Sequence, residues 1–313
     1  MKVQRLTEGD DQQVTEFLRG TFSSPTHWPG WNNLVSRYYN TDFYYYGLVG
    51  GGVLQGIFPV HEVRQGLTTG LLSGQFRYIP YGGWLKKADD GGTAPEIPVR
   101  AAGRLECFAL PSVIEFRYRY PKATESFSTM IVDLARDESA IWSGSVDSKR
   151  RNMIRKAMKS GVTVASGEAV MDDFCRLYEE GARLNGLTPM SREFLAELDT
   201  SVGDVRFIPF VAFIGGRPAG ALGLIHDKDY AVYWLGATDR QSPNLGQGEI
   251  LQWEAIRYSR QNGCRYYDLC YVDRERLPGI YEFKKGFSDM TVTVPYLNHR
   301  RFSYKVLNKI KGR

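Results

Sequence analysis

Residues 205–235 read VRFIPFVAFIGGRPAGALGLIHDKDYAVYWL. Three runs of β-branched and aromatic residues, 205–214, 218–226 and 230–235, are punctuated by Gly215-Gly216 and by Asp227-Lys228-Asp229. Such runs with such breaks predict an antiparallel three-strand meander. Downstream, residues 246–262 carry apolar positions at helical spacing, and strand-like runs follow at 264–270 and 290–296. Upstream, residues 145–160 predict a basic amphipathic helix closed by Gly161, then a strand at 162–165 and helices at 168–185 and 192–198.

The first part of the chain repeats this order. Helical signals at 15–20 and 31–38 precede strand-like runs at 42–49, 52–63 and 67–80, the first two joined by Gly50-Gly51-Gly52. A glycine-rich loop at 89–92 leads to residues 96–110, whose apolar spacing predicts a helix ended by Pro111. Strands are predicted at 113–120 and 127–134. The expectation is an α/β (α+β) protein of two halves, 1–125 and 126–313, with the boundary between residues 119 and 137. At 313 residues the chain has the length for two such domains.

Composition narrows the function classes. With 16 Phe, 19 Tyr and 6 Trp the chain has the apolar material for a core, which argues against disorder. No run approaches the ~20 apolar residues that span a bilayer. The N-terminus has no signal-peptide stretch, and Cys107, Cys175, Cys264 and Cys270 form no Cys-x-x-Cys pair, so a cytoplasmic protein with reduced thiols is expected. Six basic residues and no acid fall in 149–159, and six more in 299–313. The net charge is +5, so the remainder is acidic and the cations are concentrated in two patches. Such patches suit an anionic ligand, an RNA backbone or an anionic membrane surface, or are solvated helix faces.

His27, His61, His226 and His299 lie far apart in sequence, so no metal site is expected. There is no Gly-x-Ser-x-Gly elbow, P-loop or strand-linked Gly-x-Gly-x-x-Gly. Along the basic helix Arg151, Arg155 and Lys159 recur four apart; like charges so placed cost stability and point to an anionic partner, or are offset by nearby acids such as Asp172 and Asp173. Glycines at 246 and 248 begin the 246–262 helix, where backbone amides bind phosphate or merely turn the chain. Residues 279–287, GIYEFKKGF, set Lys284 and Lys285 among Tyr281, Phe283 and Phe287. A lysine there either stabilises the oxyanion of an acyl transfer or snorkels over an aromatic cluster.

Several segments, in order, resemble the FemABX peptidyltransferases. Residues 148–162 (SKRRNMIRKAMKSGV) are similar to that family's basic helix. Arg183-Leu184-Asn185-Gly186, Tyr233-Trp234-Leu235-Gly236-Ala237, residues 251–256 (LQWEAI), Tyr267-Asp268 and residues 279–287 resemble its later motifs, and residues 78–83 (YIPYGG) its N-terminal Tyr-x-Pro-x-Gly element. The resemblance implies two tandem GNAT-like domains, each a mixed, mainly antiparallel sheet flanked by helices. It implies transfer of an aminoacyl group from aminoacyl-tRNA to an amine of a cell-envelope (peptidoglycan) precursor, with no bound cofactor. Phe283 and Lys284 match its catalytic pair. Arg183, Tyr233, Tyr267, Asp268 and Tyr81 would bind substrate, and Arg150, Arg151, Arg155 and Lys156 would bind phosphates of the donor or of a nucleotide- or lipid-linked acceptor. Residues 300–313 would touch an anionic membrane, at its inner face. The sequence departs from the family at Leu269-Cys270, where a Phe-Gly is expected, and from the GNAT pyrophosphate pattern at Pro243. Two other readings stand beside it: an acyl-CoA-dependent N-acyltransferase acting on an amino sugar, and a non-enzymatic RNA-binding module.

Overall fold

The computed structural model describes all residues except 75–78, 88–91, 100–102, 112–118, 121, 202 and 311–313. The chain divides into two compact units, Met1–Ser128 with Val292–Arg313, and Thr129–Thr291.

The first unit opens with strand β1 (Lys2–Arg5) and helices α1 (Asp11–Gly20) and α2 (Pro29–Tyr39). Pro29 begins α2, where its missing N–H costs nothing, and Asn40 ends it in the left-handed conformation. Strands β2 (Asp42–Gly50), β3 (Val53–Gln65) and β4 (Thr68–Ser73) form an antiparallel meander. The short β5 (Leu85–Lys86) pairs with β3. Then β6 (Gly103–Phe108) adds to β4 in parallel.

This corrects the helix expected at 96–110. Gly103, Leu105 and Cys107 are buried while Arg104 and Glu106 between them are not, a period of two that suits a strand. Pro98 and Gly103 also interrupt any helix there. Between β4 and β6 the described residues contain no helix. Instead Gly82 donates its N–H to the Phe108 carbonyl at 2.8 Å. A Cβ on Gly82 would lie 2.3 Å from the Ser73 hydroxyl oxygen, so only glycine allows that approach. The strand expected at 113–120 lies almost wholly outside the described residues.

The next strand is β7 (Thr124–Asp133), whose end Ile131–Asp133 belongs to the second unit. Helices α3 (Glu138–Ala140) and α4 (Ser148–Lys159), strand β8 (Thr163–Ser166) and helices α5 (Met171–Leu184) and α6 (Arg192–Ser201) follow. The meander is β9 (Arg206–Ile214), β10 (Arg217–His226) and β11 (Tyr230–Thr238). Helix α7 (Gln247–Gln261) then crosses over to β12 (Tyr266–Asp268), which lies parallel to β11 as such a crossover requires. Helix α8 (Pro278–Lys285) precedes β13 (Met290–Arg300) and α9 (Phe302–Ile310). Strand order in the second unit is β7-β12-β11-β10-β9-β8.

Side chains of β10 alternate between two helical layers. Leu222 and Leu224 join Ile250, Leu251 and Ile256 of α7, whereas Gly223 leaves room for Phe174 of α5 and for Phe207. Each fully buried Leu or Ile contributes about 1.5–3 kcal/mol. Both units thus share a meander followed by a strand added in parallel. The sequence places everything after residue 125 in the second half, but β13 crosses back: Tyr296–Arg300 pairs with β6 in the first unit. Its alternating pattern identifies a strand, and only the pairing partner tells to which unit it belongs.

The first unit buries two neutral histidines. His61 Nε2–H donates to Asn32 Oδ1, and Thr41 Oγ1 donates to His61 Nδ1, both at 3.0 Å. His27 Nε2–H donates to the Gly83 carbonyl at 3.1 Å. Burial lowers His27 from 6.5 to about 4 and His61 to about 3. Between those values and 6.5 the unfolded chain is protonated and the folded chain is not, so stability present above pH 6.5 is lost as pH falls. Each histidine contributes up to ~1.4 kcal/mol per pH unit in that window. Urea unfolding midpoints are expected to drop from pH 6.5 toward 4, and His61→Gln should flatten the slope.

Candidate active site

Strands β11 and β12 pair only from Tyr230–Val232 against Tyr266–Asp268. Immediately beyond, Trp234 forms a bulge, because Tyr233 and Leu235 take successive partners, Leu224 and Gly223, on β10. Lys284 of α8 enters where the pairing ends. Its Nζ donates to the Cys270 carbonyl at 2.9 Å and lies 5.5 Å from the centroid of the Tyr233 ring. The side chain is buried, which lowers its pKa below the usual 10.5; Cys270 and Asp268 pull it partly back. An ammonium has three N–H donors, so one carbonyl and one ring face do not saturate it.

The peptide that receives Lys284 is held in an unusual conformation. Cys270 has φ +61°, the left-handed region that favours glycine. Its N–H donates to Asp268 Oδ1 at 2.6 Å while its carbonyl accepts from Lys284. The departure from Phe-Gly at 269–270 therefore leaves a glycine-like backbone, enforced from both sides. Asp268 is fully buried and also accepts from Thr129 Oγ1 and, at 2.5 Å, from the Tyr230 hydroxyl. Burial pushes the Cys270 thiol up to about 12, opposed by Lys284 and aided by Asp268.

Gln252 of α7 links two tyrosines. The Tyr267 hydroxyl donates to Gln252 Oε1 at 2.7 Å. Burial and then Cys270 push Tyr233 up to about 12, against a hydrogen bond from Gln252. A Cβ on Gly236 would fall 2.0 Å from the Tyr233 hydroxyl oxygen, so the Gly of Tyr-Trp-Leu-Gly-Ala makes room for that hydroxyl.

Arg150 anchors the helices beneath this site. Asp147 caps α4 by accepting from the Arg150 N–H at 2.7 Å, and its own N–H donates to the Gly286 carbonyl at the end of α8. The buried Arg150 guanidinium reaches Glu249 of α7 at 2.9 Å and the Glu282 carbonyl of α8 at 3.1 Å, and sits 4.8 Å from the Phe283 ring centroid. Phe283 also faces Gly248 near the start of α7.

With that geometry in place, comparison with known proteins identifies the second unit. Residues 146–285 match the acetyltransferase (GNAT) domain model. The match falls within the second unit and covers less than half of the chain. The whole chain has the fold of FemX, at 10% identity, TM-score 0.66 and full coverage of both chains. It is also similar to the C-terminal domain of a candidate lysylphosphatidylglycerol synthetase from Agrobacterium fabrum (11% identity, TM-score 0.57, 97% of this chain and 96% of that one). A tandem GNAT protein from the clavulanic acid pathway gives 14% identity and TM-score 0.51 over 96% and 98%. No curated protein sequence matches. The chain is an acyltransferase, and it has the tandem GNAT-like fold of these structures.

Within the GNAT domain, Lys284, Tyr233, Tyr267 and Asp268 join one connected set of contacts, with Phe283 and Arg150 in the adjoining clamp. Arg150 is spent internally, which revises its expected role as a phosphate ligand. Arg151 is also turned inward, donating to the carbonyls of Trp142, Ser143 and Val146. The cationic stripe expected from Arg151 through Lys159 therefore loses its first member. Arg155 and Lys156 are exposed; Lys156 Nζ reaches the Asn244 carbonyl just before α7, and Arg155 lies 5.4 Å from the Trp142 ring centroid. Arg183 is exposed at the end of α5 in an ion pair with Glu179 at 2.7 Å. Tyr81 is fully buried in the first unit. Gln252, Glu249 and Cys270 are not among the site residues that the sequence predicts. A signal for Cys270 exists in the break from Phe-Gly and one for Gln252 in its place within residues 251–256 (LQWEAI); none marks Glu249.

Among the described residues no group of His, Cys, Asp and Glu could hold a metal ion. Glu249→Ala would strand the Arg150 charge and should cost about 3–5 kcal/mol in urea unfolding, whereas Arg150→Met combined with Glu249→Leu should recover most of the loss.

Proposed function

We propose that the chain transfers an aminoacyl (or other acyl) group to an amine of a cell-envelope precursor. The observation that carries this reading is Lys284: a buried ammonium in a GNAT domain, placed where β11 and β12 part, with N–H capacity left over. In the step envisaged, the amine nitrogen attacks the ester carbonyl carbon and the carbonyl electron pair moves to oxygen. Lys284 stabilises that oxyanion. Collapse expels the ester oxygen, which takes up the proton released by the amine. Holding both substrates in line supplies much of the remaining acceleration. Phe283 and Arg150 position Lys284, and Tyr233, Tyr267 and Asp268 shape the wall beside it.

An aminoacyl-tRNA donor is supported by the ordered motif resemblance and by the fold shared with FemX and a lysylphosphatidylglycerol synthetase domain. Exposed Arg155 and Lys156, rather than Arg150 or Arg151, are the residues suited to its phosphates or to those of a nucleotide- or lipid-linked acceptor. Arg183, exposed at the surface, is a candidate contact for a long acceptor. A second reading, acyl-CoA-dependent N-acylation of an amino sugar, is favoured by the match to an acetyltransferase model. The acyltransferase domain sets aside the RNA-binding module without catalysis.

Cytoplasmic placement is supported by the four cysteines, all free. Among the described residues no helix is long and apolar enough to cross a membrane. Peripheral contact with the inner face of an anionic membrane is supported by α9 and the basic residues around it, where Phe302 is 82% exposed beside Arg300, Arg301 and Lys305.

Mass spectrometry of amine acceptors incubated with a charged tRNA pool or an acyl-CoA pool tests this proposal. An amino-acid mass increment from the tRNA pool is expected; an increment from acyl-CoA alone selects the second reading. Lys284→Ala should lower the rate about 10²–10³-fold, as loss of an oxyanion donor does. Lys285→Ala, at an exposed position, should leave it unchanged. An unaltered rate in Lys284→Ala would contradict the role given to that ammonium.

A further inference from the structure

The first unit contains a cavity of about 460 Å³ that the transfer reaction does not use. We propose that it binds an amphiphile with an apolar chain and a terminal anionic group, a lipid carboxylate or a lipid phosphate.

The floor is apolar and fixed. Phe58 of β3 and Trp84 are each 1% exposed, with ring centroids 5.4 Å apart. Leu105 of β6 and Leu297 of β13 continue it on adjacent paired strands. The facing wall, residues 93–99, is tied down at several points. Trp84 Nε1–H donates to the Pro95 carbonyl at 3.1 Å, and its backbone N–H donates to the Tyr120 hydroxyl at 2.6 Å. Ala94 N–H donates to the Arg119 carbonyl at 2.8 Å, and Arg119 N–H to the Gly92 carbonyl at 3.1 Å. The space is therefore preformed between a sheet and a hydrogen-bonded wall. Its volume falls in the range of small-molecule pockets, roughly 300–1,000 Å³. One water takes up about 30 Å³, and an apolar floor offers water few partners.

Charge sits only at the mouth. Lys122 and Arg301 are exposed there, beside Asn298 and His299. Glu96 is the one acid in the lining, and it meets Lys122 at 3.2 Å with both side chains more than four-fifths exposed. Water screens such a pair, so it holds Lys122 weakly. Among the described residues no carboxylate pairs with Arg301, whose backbone N–H donates to the Gly103 carbonyl and whose carbonyl accepts from Lys305 N–H. The balance at the mouth is positive and the interior is uncharged. An apolar chain gains by leaving water for that interior, about 0.8 kcal/mol per CH₂. Its head group must stay at the mouth, where an anion is attracted and a cation repelled.

Displacement of the fluorescent fatty acid cis-parinarate from the full chain tests the site, with all ligands below their micelle concentrations. Dodecanoate and dodecyl phosphate are expected to displace it saturably; whichever binds more tightly names the source of the anion. Inorganic phosphate, which lacks the chain, should not compete. Dodecylammonium should bind about tenfold more weakly than the anions, and Lys122→Glu with Arg301→Glu should weaken the anions about tenfold while leaving dodecanol unaffected. Leu297→Trp should block all of them. If that variant does not fold, as judged by thermal melting, Ile97→Trp fills the space from the opposite wall. Absence of saturable binding by either anion would overturn the proposal. So would equal affinity for dodecylammonium, or full affinity in a folded cavity-filling variant. These are binding measurements on the first unit's cavity, so they stand or fall separately from any transfer assay.

Discussion

Placing the Arg150 guanidinium out of water obliges the helices around it to supply partners. A buried cation needs charge-compensating partners, and removal of one costs more than the pair contributes; the two terminal nitrogens of Arg150 find theirs, while its Nε–H has none among the described residues. Glu249 comes from α7, the carbonyl of Glu282 from α8, and Asp147 fastens the start of α4 to the end of α8. Three helices separated by long stretches of sequence are thereby locked in one arrangement. Lys284 lies two residues beyond Glu282 on the same helix. Its reach to Cys270 and Tyr233 depends on that arrangement.

The same logic divides the basic residues of α4 by function. Their density suggests a surface for an anion, and the structure withdraws Arg150 and Arg151 from that surface. Arg150 and Arg151 turn inward because α4 begins against α8 and against the π-helical segment Ile141–Ser145, whose carbonyls and that of Glu282 accept from them. Arg155 and Lys156 lie further along and stay in water. A helix so rich in like charges is stable here partly because its first turn is neutralised by the protein itself.

Much of the second unit can be read from the chain. Hydrophobic periodicity locates the meander, α5, α7 and α4 to within a few residues, since each has one face in a core and turn residues at its ends. The aromatic neighbours and the motif resemblance separate Lys284 from Lys285. What escapes is whatever depends on a partner far away in sequence. Glu249 looks like an ordinary acid near a helix start, and only Arg150, 99 residues earlier, makes it a buried ion. Gln252 acquires meaning from Tyr267 and Tyr233. Residues 96–110 carry apolar side chains compatible with two periods, and parallel pairing with β4 selects the strand. Cys270 is half legible: its chemistry hides a backbone conformation that glycine would have announced.

An oxyanion-stabilising Lys284 must be a buried ammonium rather than a surface lysine, and titration of that one side chain distinguishes the two. NMR of ¹³C-lysine-labelled protein, with the resonance assigned by its loss in Lys284→Arg, gives the midpoint directly. The account predicts a midpoint below the ordinary 10.5, because desolvation outweighs the pull of Cys270 and Asp268. A midpoint at or above 10.5 would contradict it.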